Sequence, residues 1–323
     1  MEQQEKLWDF DAVVPGQAGG ATVVEITALN IAEYARLSQN ADPRYQEEAA
    51  AVLAMPTMIL SYAPILREEI AEANGFVALE QSKTSRRQTP FAKCEIRWRH
   101  PVVAGDIITA SRRVLEKYER RGSKFVTFRV EAANQDGITV GEYDYTCIFE
   151  YAKGQREVPE PTANLRSSET PPVNATPVSH ILGFEDFIEG SLLSALPVTE
   201  SQEIINRKNE FRLGGRASAS NIHTDEEFAR QNIFGGTVNS GPATMSYVDQ
   251  TLQLAFPLEA FYNGGSLLMR AITPFRSSDT VTFQGEVTAK RREGNSGVVD
   301  CRVKGTNQRG DLVCLADASL VVA

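Results

Sequence analysis

Two kinds of hydrophobic pattern divide the chain into predicted strands and predicted helices. Apolar and polar residues alternate through residues 125–132 and 298–303, between turn-forming residues, and this alternation is typical of hairpin strands. Residues 58–73 and 244–256 are mostly apolar and follow a helical pattern. A helix this apolar must be buried on most of its surface, so each of these two segments predicts a central helix.

The two sets of elements belong to an internal repeat. Residues 100–106 correspond to residues 273–279 at an offset of 173, and the same offset relates Gln135-Asp136-Gly137 to Gln308-Arg309-Gly310. Upstream, Met55-Pro56-Thr57-Met58 resembles Pro242-Ala243-Thr244-Met245, and each copy opens one of the apolar helices. Each half of the chain therefore has the same predicted order of a polar loop, an apolar helix and a run of strands.

A proline-rich stretch without periodicity, residues 157–178, separates the two copies and is predicted to be an extended linker. The predicted domains are then residues 1–156 and 179–323. A curled antiparallel sheet around each helix would bury its apolar surface, and this arrangement resembles the hotdog fold. The predicted fold class is α+β, a double hotdog with two antiparallel sheets that each wrap a long central helix.

Charge and composition narrow the classes of function. The net charge of −9 argues against a nucleic-acid partner, because phosphate binding requires a basic surface. One basic run is interpreted as a solvated strand-and-turn face, with docking of a phosphate-bearing carrier as the alternative: Arg112, Arg113, Lys117, Arg120 and Arg121. No apolar run reaches the length of a membrane span and Met1–Phe10 lacks a leader pattern, so we expect a cytoplasmic protein.

The cysteine pattern gives no indication of a metal site. Cys94, Cys147, Cys301 and Cys314 form no CxxC pair, and each lies in an apolar run, as buried free thiols do. No Cys/His cluster, GxGxxG, P-loop or GxSxG pattern occurs in the chain. We therefore expect neither a metal nor another cofactor.

The loop before the second apolar helix contains Ile222-His223-Thr224-Asp225, followed by Ala229 and by Gly241 at the helix start. This pattern resembles the motif of the MaoC-like (R)-specific enoyl-thioester hydratases and dehydratases. That motif has the form Asp-x-Asn-Pro-Ile-His-x-Asp, with an alanine four residues later and a His-Gly pair at the start of the central helix. Ile222-His223-Thr224-Asp225, Ala229 and Gly241 match it. Ser218 stands at the aspartate position, Ser220 at the asparagine, Asn221 at the proline and Ser240 at the second histidine.

The first half matches the same motif less well. Its corresponding positions hold Asn40, Asp42, Pro43 and Tyr45, without an acid–histidine pair. The resemblance therefore assigns the chemistry to the second half, and it leaves the first half to complete the sheet and a substrate tunnel at the seam. The wall of this tunnel is predicted to be apolar and to come from both helices, near Met58 and Met245.

The resemblance implies a hydro-lyase that interconverts 3-hydroxyacyl and trans-2-enoyl thioesters of CoA or an acyl carrier protein. Such a reaction needs a group that handles protons and a fixed donor for the enolate oxygen. His223 and Ser218 are the implied groups for the water and proton steps, and the Gly241 N–H is the implied donor. The implied substrate-binding residues are Ser220, Asn221, Asn239 and Ser240.

Several residues have a plainer interpretation. His223 could cap a turn, Ser218 and Ser220 could be loop hydrogen-bonders, and Gly241 could be a steric requirement at a helix start. Asp225 is interpreted as a charge at a helix N-terminus and Asp249 as an exposed acid on its helix.

The missing aspartate keeps a second function open. The chain would then be a relative without hydratase chemistry, which binds an acyl thioester, acts as a structural partner or catalyses another enolate-based step such as cyclisation. Thioester hydrolysis is disfavoured because no carboxylate is placed for it. Neither nucleic acid nor a membrane is an expected partner, and a homodimer is left open.

Overall fold

The computed structural model describes residues 5–45, 52–152, 179–215 and 221–322, so the proposed linker 157–178 lies outside the described residues. The helices are α1 (Ala28–Leu37), α2 (Ile59–Tyr62), α3 (Arg67–Ala73), α4 (Gln202–Glu210), α5 (Glu226–Gln231), α6 (Gly241–Gln253) and α7 (Glu259–Tyr262). The strands are β1 (Leu7–Trp8), β2 (Thr22–Glu25), β3 (Val77–Ala78), β4 (Phe91–Trp98), β5 (Ile107–Arg120), β6 (Ser123–Ala133), β7 (Thr139–Glu150), β8 (Leu196–Thr199), β9 (Ser266–Ala271), β10 (Thr280–Glu293), β11 (Ser296–Asn307) and β12 (Leu312–Val322).

One 10-stranded antiparallel sheet runs through both halves, in the order β2-β5-β6-β7-β4-β9-β12-β11-β10-β8. The two halves meet where β4 pairs with β9, in a register that sets Cys94 opposite Met269. Read inward from either edge, the strand order of the two halves is the same. The two predicted sheets are therefore present and are joined edge to edge, while β1 and β3 form a separate parallel pair.

The structure reproduces the 173-residue repeat in detail. The β5–β6 ladder shifts register between Val114 and Glu116, and the β10–β11 ladder shifts between Val287 and Ala289. The turn glutamines are duplicated as well, since Gln135 Oε1 accepts from the Ile107 N–H and Gln308 Oε1 accepts from the Thr280 N–H. Matching bulges and matching side-chain bonds indicate that the halves are two copies of one domain.

The central helices of the two halves differ. In the second half α6 is one continuous helix, and every residue from Ala243 to Gln253 is buried. In the first half the predicted helix over residues 58–73 is wrong as a single element, because it is divided into α2 and α3. Pro64, which lies in the interruption, has no N–H to donate, and Leu66 adopts a left-handed backbone (φ 45°, ψ 56°).

One residue of the basic run is also placed differently from the prediction. Arg112 is only 2% exposed, although the run was expected to face solvent. Its Nε donates to the carbonyl of Pro64 at 3.0 Å and its Nη2 donates to Thr22 Oγ1 at 2.7 Å. These bonds satisfy a buried guanidinium inside the fold, and they support the chain where the first-half helix is interrupted.

Candidate active site

The loop that carries His223 is fixed by hydrogen bonds within the loop and to α4. Asn221 Oδ1 accepts from the backbone N–H of His223 at 2.8 Å, and Gln202 Nε2 donates to the His223 carbonyl at 2.8 Å. Asp225 caps α5, because its side chain accepts from the Phe228 N–H at 3.0 Å. The interpretation of Asp225 as a helix-terminal charge is thus confirmed, and the loop is anchored on both sides of the histidine.

The His223 ring has a defined tautomer. Nδ1 lies 2.8 Å from the carbonyl oxygen of Val238, and a carbonyl only accepts, so Nδ1 carries the proton. Nε2 has no hydrogen-bond partner among the described residues. Burial lowers the pKa of His223 below its usual value, the charge of Arg67 lowers it further, and the Val238 bond opposes both. At neutral pH the ring is therefore a neutral base with Nε2 available.

The start of α6 leaves one backbone donor open. Ser240 is the N-cap, and its Oγ accepts from the Ala243 N–H at 3.2 Å. Pro242 has no N–H, and the Thr244 N–H bonds to the Ser240 carbonyl. Within the described part of the chain, the Gly241 N–H has no acceptor. A free donor at a helix N-terminus is suited to an anionic oxygen.

Gly241 is also required for packing. A Cβ at this position would lie 2.4 Å from Cγ of Phe91, a residue of β4 in the first half. The glycine therefore brings the Phe91 ring against the mouth of α6. The steric and the functional interpretations of Gly241 are compatible, because the contact with Phe91 lies at the same helix start as the open Gly241 N–H.

Asn239 faces the cavity, but its amide is engaged by the protein. Its Nδ2 donates to Glu200 Oε1 at 2.8 Å, and its Oδ1 accepts from the Ser240 N–H at 2.9 Å. Glu200 is buried and also binds Lys208 at 3.1 Å, and burial lowers the pKa of Lys208 to about 8. Tyr247 donates to the same carboxylate oxygen. This buried cluster holds the residues that precede the helix mouth.

A cavity of about 560 Å³ lies at the seam and has His223, Asn239 and Gly241 in its wall; we call it the main cavity. The second half also contributes apolar groups: Ile222, Phe234, Val238, Met269 and Phe275. The first half contributes Arg67, Gln88, Phe91, Tyr118, Phe125 and Tyr145. The predicted cavity between the halves thus exists. Met58 and Met245 are fully buried elsewhere in the core and are not part of its wall.

A smaller and more polar space of about 150 Å³, the side cavity, also has His223 in its wall. Asn221, Ser240 and Lys208 line it from the second half, and Arg67, Gln88 and Tyr145 line it from the first. His223 and these three first-half residues therefore border both spaces. The structure brings together five predicted site residues around the two cavities: Asn221, His223, Asn239, Ser240 and Gly241. Ser218 and Ser220 lie outside the described residues.

The corresponding positions of the first half are occupied by internal contacts. Tyr45, at the histidine position, is fully buried and donates to Gln253 Oε1 at 2.6 Å. The N–H and hydroxyl of Thr57 donate to Asp249 at 3.0 and 2.7 Å. The prediction that Asp249 is exposed is wrong, because α6 is buried all round and this acid is 0% exposed. In the described part of the chain, these groups bond to one another within the core, and none of them lines either cavity.

The sequence analysis missed three residues around the cavities. Arg67 is a charge within an apolar helical pattern, and that irregularity was the available signal. Gln88 and Glu200 lie in segments without a motif, so only the fold places Gln88 in the same cavity walls as His223 and Glu200 against Asn239. Among the described residues no group of three His, Cys, Asp or Glu side chains has the arrangement of a metal site. No described helix is both long and apolar enough to span a membrane.

Comparison with known proteins agrees with this architecture. Residues 14–143 match the family model described as FAS1-like, dehydratase domain region. No curated protein sequence matches the chain. A solved structure named MaoC-like dehydratase is 15% identical, with a TM-score of 0.66 over 95% of this chain and 98% of its own.

Two further solved structures have the same architecture as this chain. A putative MaoC domain dehydratase from Chloroflexus aurantiacus is 14% identical, with a TM-score of 0.62 over 100% of this chain and 99% of its own. A Mycobacterium tuberculosis protein described as having a double hotdog fold is 14% identical, with a TM-score of 0.56 over 97% of each chain. The predicted double-hotdog fold is thus confirmed.

Proposed function

Since the chain has the double-hotdog fold of the MaoC-like dehydratases, we propose that it is a hydro-lyase that interconverts 3-hydroxyacyl and trans-2-enoyl thioesters. The observation that carries the proposal is the pairing of His223 with Gly241 in one cavity wall. His223 offers an unprotonated Nε2, and Gly241 offers an unbonded N–H at a helix start. These are the base and the oxyanion donor that the reaction requires.

In the hydration direction, His223 Nε2 removes a proton from water while the water oxygen bonds to the β-carbon. The electron pair of the C=C bond moves toward the thioester oxygen, and the Gly241 N–H stabilises the negative charge there. The protonated imidazole then returns its proton to the α-carbon as the C=O bond reforms. One water is added, and His223 ends in its starting form. Dehydration follows the same steps in reverse.

The wall of the main cavity accepts a mainly apolar ligand of moderate size. Phe91, Tyr145, Met269 and Phe275 supply apolar surface for an acyl or pantetheine chain, and Lys93 and Arg120 belong to the same wall. Cations at a cavity wall suit the phosphates of a carrier. We propose CoA or an acyl carrier protein as that carrier, in the cytoplasm.

The test is hydration of crotonyl-CoA and longer enoyl-CoAs, followed by the loss of enoyl absorbance. Wild type should turn over, and His223→Ala should lower the rate by about a hundredfold or more, because an acid–base group is lost. His100→Ala is the matched control, since His100 is exposed and lies outside both cavities. Full activity in His223→Ala would contradict the assignment.

A second function is favoured by Ser218 and Ser240, which replace the acid and the second histidine of the family motif. In this alternative the cavity binds an acyl thioester without hydrating it, or supports another enolate-based step such as cyclisation. Calorimetric titration with crotonyl-CoA separates the two proposals. Binding of crotonyl-CoA that depends on Gly241, in a wild-type protein that does not hydrate it, would favour acyl-thioester binding without hydration.

A further inference from the structure

The interruption of the first-half helix places the charged side chain of Arg67 in the walls of both cavities. Leu66, in the left-handed region, immediately precedes Arg67, the first residue of α3. A left-handed backbone is unfavourable for a residue with a side chain, because its Cβ lies too close to the following carbonyl oxygen. Such strain persists where the surrounding structure enforces it, and it often accompanies functional sites. The position of Arg67 is therefore specified by the fold.

Arg67 is held in place by three residues of its own half. Its Nη1 donates to the Thr89 carbonyl at 2.8 Å and lies 2.9 Å from Cys147 Sγ. Its Nη2 lies 3.3 Å from Glu80 Oε1, and both side chains of this ion pair are less than 15% exposed. An arginine remains charged when buried, and burying a charge is costly unless it is compensated. Burial lowers the pKa of Arg67, but neighbouring groups that include Cys147 and Glu80 raise it more, so the pKa lies above its usual value and the side chain is held as a cation.

Arg67 and His223 border both the main cavity and the side cavity. Gln88 borders both as well, and its Oε1 is buried without a hydrogen-bond partner in the described chain. A buried acceptor without a partner destabilises the protein, and a hydrogen-bond donor on a ligand would remove that penalty. A cation, a base and an open acceptor therefore border both spaces.

Among the described residues, the other charged groups in the two cavity walls are all cationic except Glu68. Lys93, Arg120 and Arg270 line the main cavity, and Arg270 is paired with Asp317. Glu68, Lys208 and Arg212 line the side cavity, and Lys208 is paired with Glu200. Burial is the largest cause that lowers the pKa of His223, the bond to Val238 opposes it, and the charge of Arg67 lowers the pKa further. Arg67 is thus a charged side chain that shares both cavity walls with the base and lowers its pKa.

We propose that the reaction centre is composite, with His223 from the second half and Arg67 from the first half acting together. Arg67 keeps the imidazole in its neutral, basic form and stabilises negative charge that develops in the cavity. Gln88 Oε1 accepts the O–H of the water that is added or of the 3-hydroxyl group that results. The role in charge development rests on the proposed function, whereas the effect of Arg67 on His223 exists without substrate.

The first experiment needs no substrate. The titration of the His223 ring is followed by NMR, and its signal is assigned by its loss in His223→Gln, since the chain has only 3 histidines. Arg67→Gln should raise the pKa of His223, and Arg67→Lys should leave it close to wild type. Glu80→Gln should lower it further, because the charge of Arg67 is then less compensated. An unchanged pKa in both Arg67→Gln and Glu80→Gln would overturn the proposal.

Arg112→Gln is the matched control, because Arg112 is another buried first-half arginine that lines neither cavity. It should lower the melting temperature without moving the pKa of His223. If Arg67→Gln fails to fold, Glu80→Gln still provides the decisive titration. An equal pKa change in Arg112→Gln would show a general structural effect and would also overturn the proposal.

The second experiment measures hydration of crotonyl-CoA across pH. Arg67→Gln should lower kcat by about a hundredfold or more, as loss of a charge-stabilising group does, with a smaller change in KM. The acidic limb of its pH profile should move upward with the pKa of His223. If the NMR shift occurs but wild type lacks hydratase activity, the composite centre is supported and the proposed function fails. Unchanged kcat in Arg67→Gln would remove its role in catalysis.

Discussion

Asp249 of α6 accepts hydrogen bonds from both the backbone N–H and the hydroxyl of Thr57, across the seam between the halves. Burial raises the pKa of Asp249 from 3.8 to about 6, despite these bonds and a third from Gln253. Because the folded protein holds this proton more tightly than the unfolded chain, the contribution of Asp249 to stability is full below pH 3.8. It is lost as the pH rises to about 6.

We expect Asp249→Asn to remove this pH dependence. The free energy of unfolding, measured by urea titration at several pH values, should fall for wild type relative to the variant as the pH rises from about 4 to about 6. Above that range the difference should be constant. Parallel curves for the two proteins over the whole range would contradict the raised pKa.

Tyr45→Phe should affect stability but leave catalysis intact. The hydroxyl of Tyr45 donates to Gln253 inside the core, and its loss leaves a buried acceptor, which costs about 1–3 kcal/mol. Neither residue lines the cavities. Denaturant unfolding should show the destabilisation, and the hydration rate of the folded variant should match wild type. A large loss of turnover would mean that the first-half motif position takes part in the chemistry.

Gly241→Ala should impair activity through a steric contact with Phe91. The new methyl group would meet the ring at 2.4 Å, so the helix mouth or the ring must move. A displaced N–H at the oxyanion position typically costs about a hundredfold in kcat. Gly20→Ala is the control, because a Cβ there meets nothing within 4 Å. Adding Phe91→Leu should restore part of the lost rate, and a fully active Gly241→Ala would argue against the donor role.

Ser218→Asp tests the most distinctive departure from the family motif. A serine positions water but is no base at neutral pH, so the wild type should hydrate crotonyl-CoA slowly. A carboxylate at position 218 would rebuild the acid–histidine pair and should raise the rate by about tenfold or more. Kinetics are compared after thermal melting has shown that both proteins are folded. Rapid wild-type turnover that the substitution abolishes would mean that Ser218 has a direct role of its own.

The parts of the fold that the sequence predicted are those encoded by local pattern. The alternation of apolar and polar residues over 125–132 predicted a strand, and the matching turns at Gln135 and Gln308 predicted the repeat. Both predictions succeeded because strand period and turn chemistry are local properties of the sequence. The interruption before Arg67 was missed because Pro64, Ile65 and Leu66 continue an apolar run. Hydrophobicity alone does not reveal a left-handed residue.

Only the second-half residues of the candidate site could be predicted from the sequence. His223 and Gly241 lie in a sequence motif, whereas Arg67 and Gln88 reach the same cavities from the other half of the chain. Asp249 was placed on the surface because an isolated acid usually is exposed, but its helix lies between the sheet and the first-half residues at Thr57. Contacts of this long range depend on how the halves dock, which no local pattern specifies.

The pairing of β4 with β9 has a consequence for assembly. It joins residues 93–97 to residues 266–270, so strands that lie far apart along the chain must pair before the cavity exists. Closing such separations is slow, and each half can form most of its own ladders first. Until they dock, each half presents an unpaired inner strand, and the readiest partner for such an edge is the same edge of another molecule. Covalent fusion of the halves keeps the correct partner at high local concentration and so protects the chain from self-association during folding.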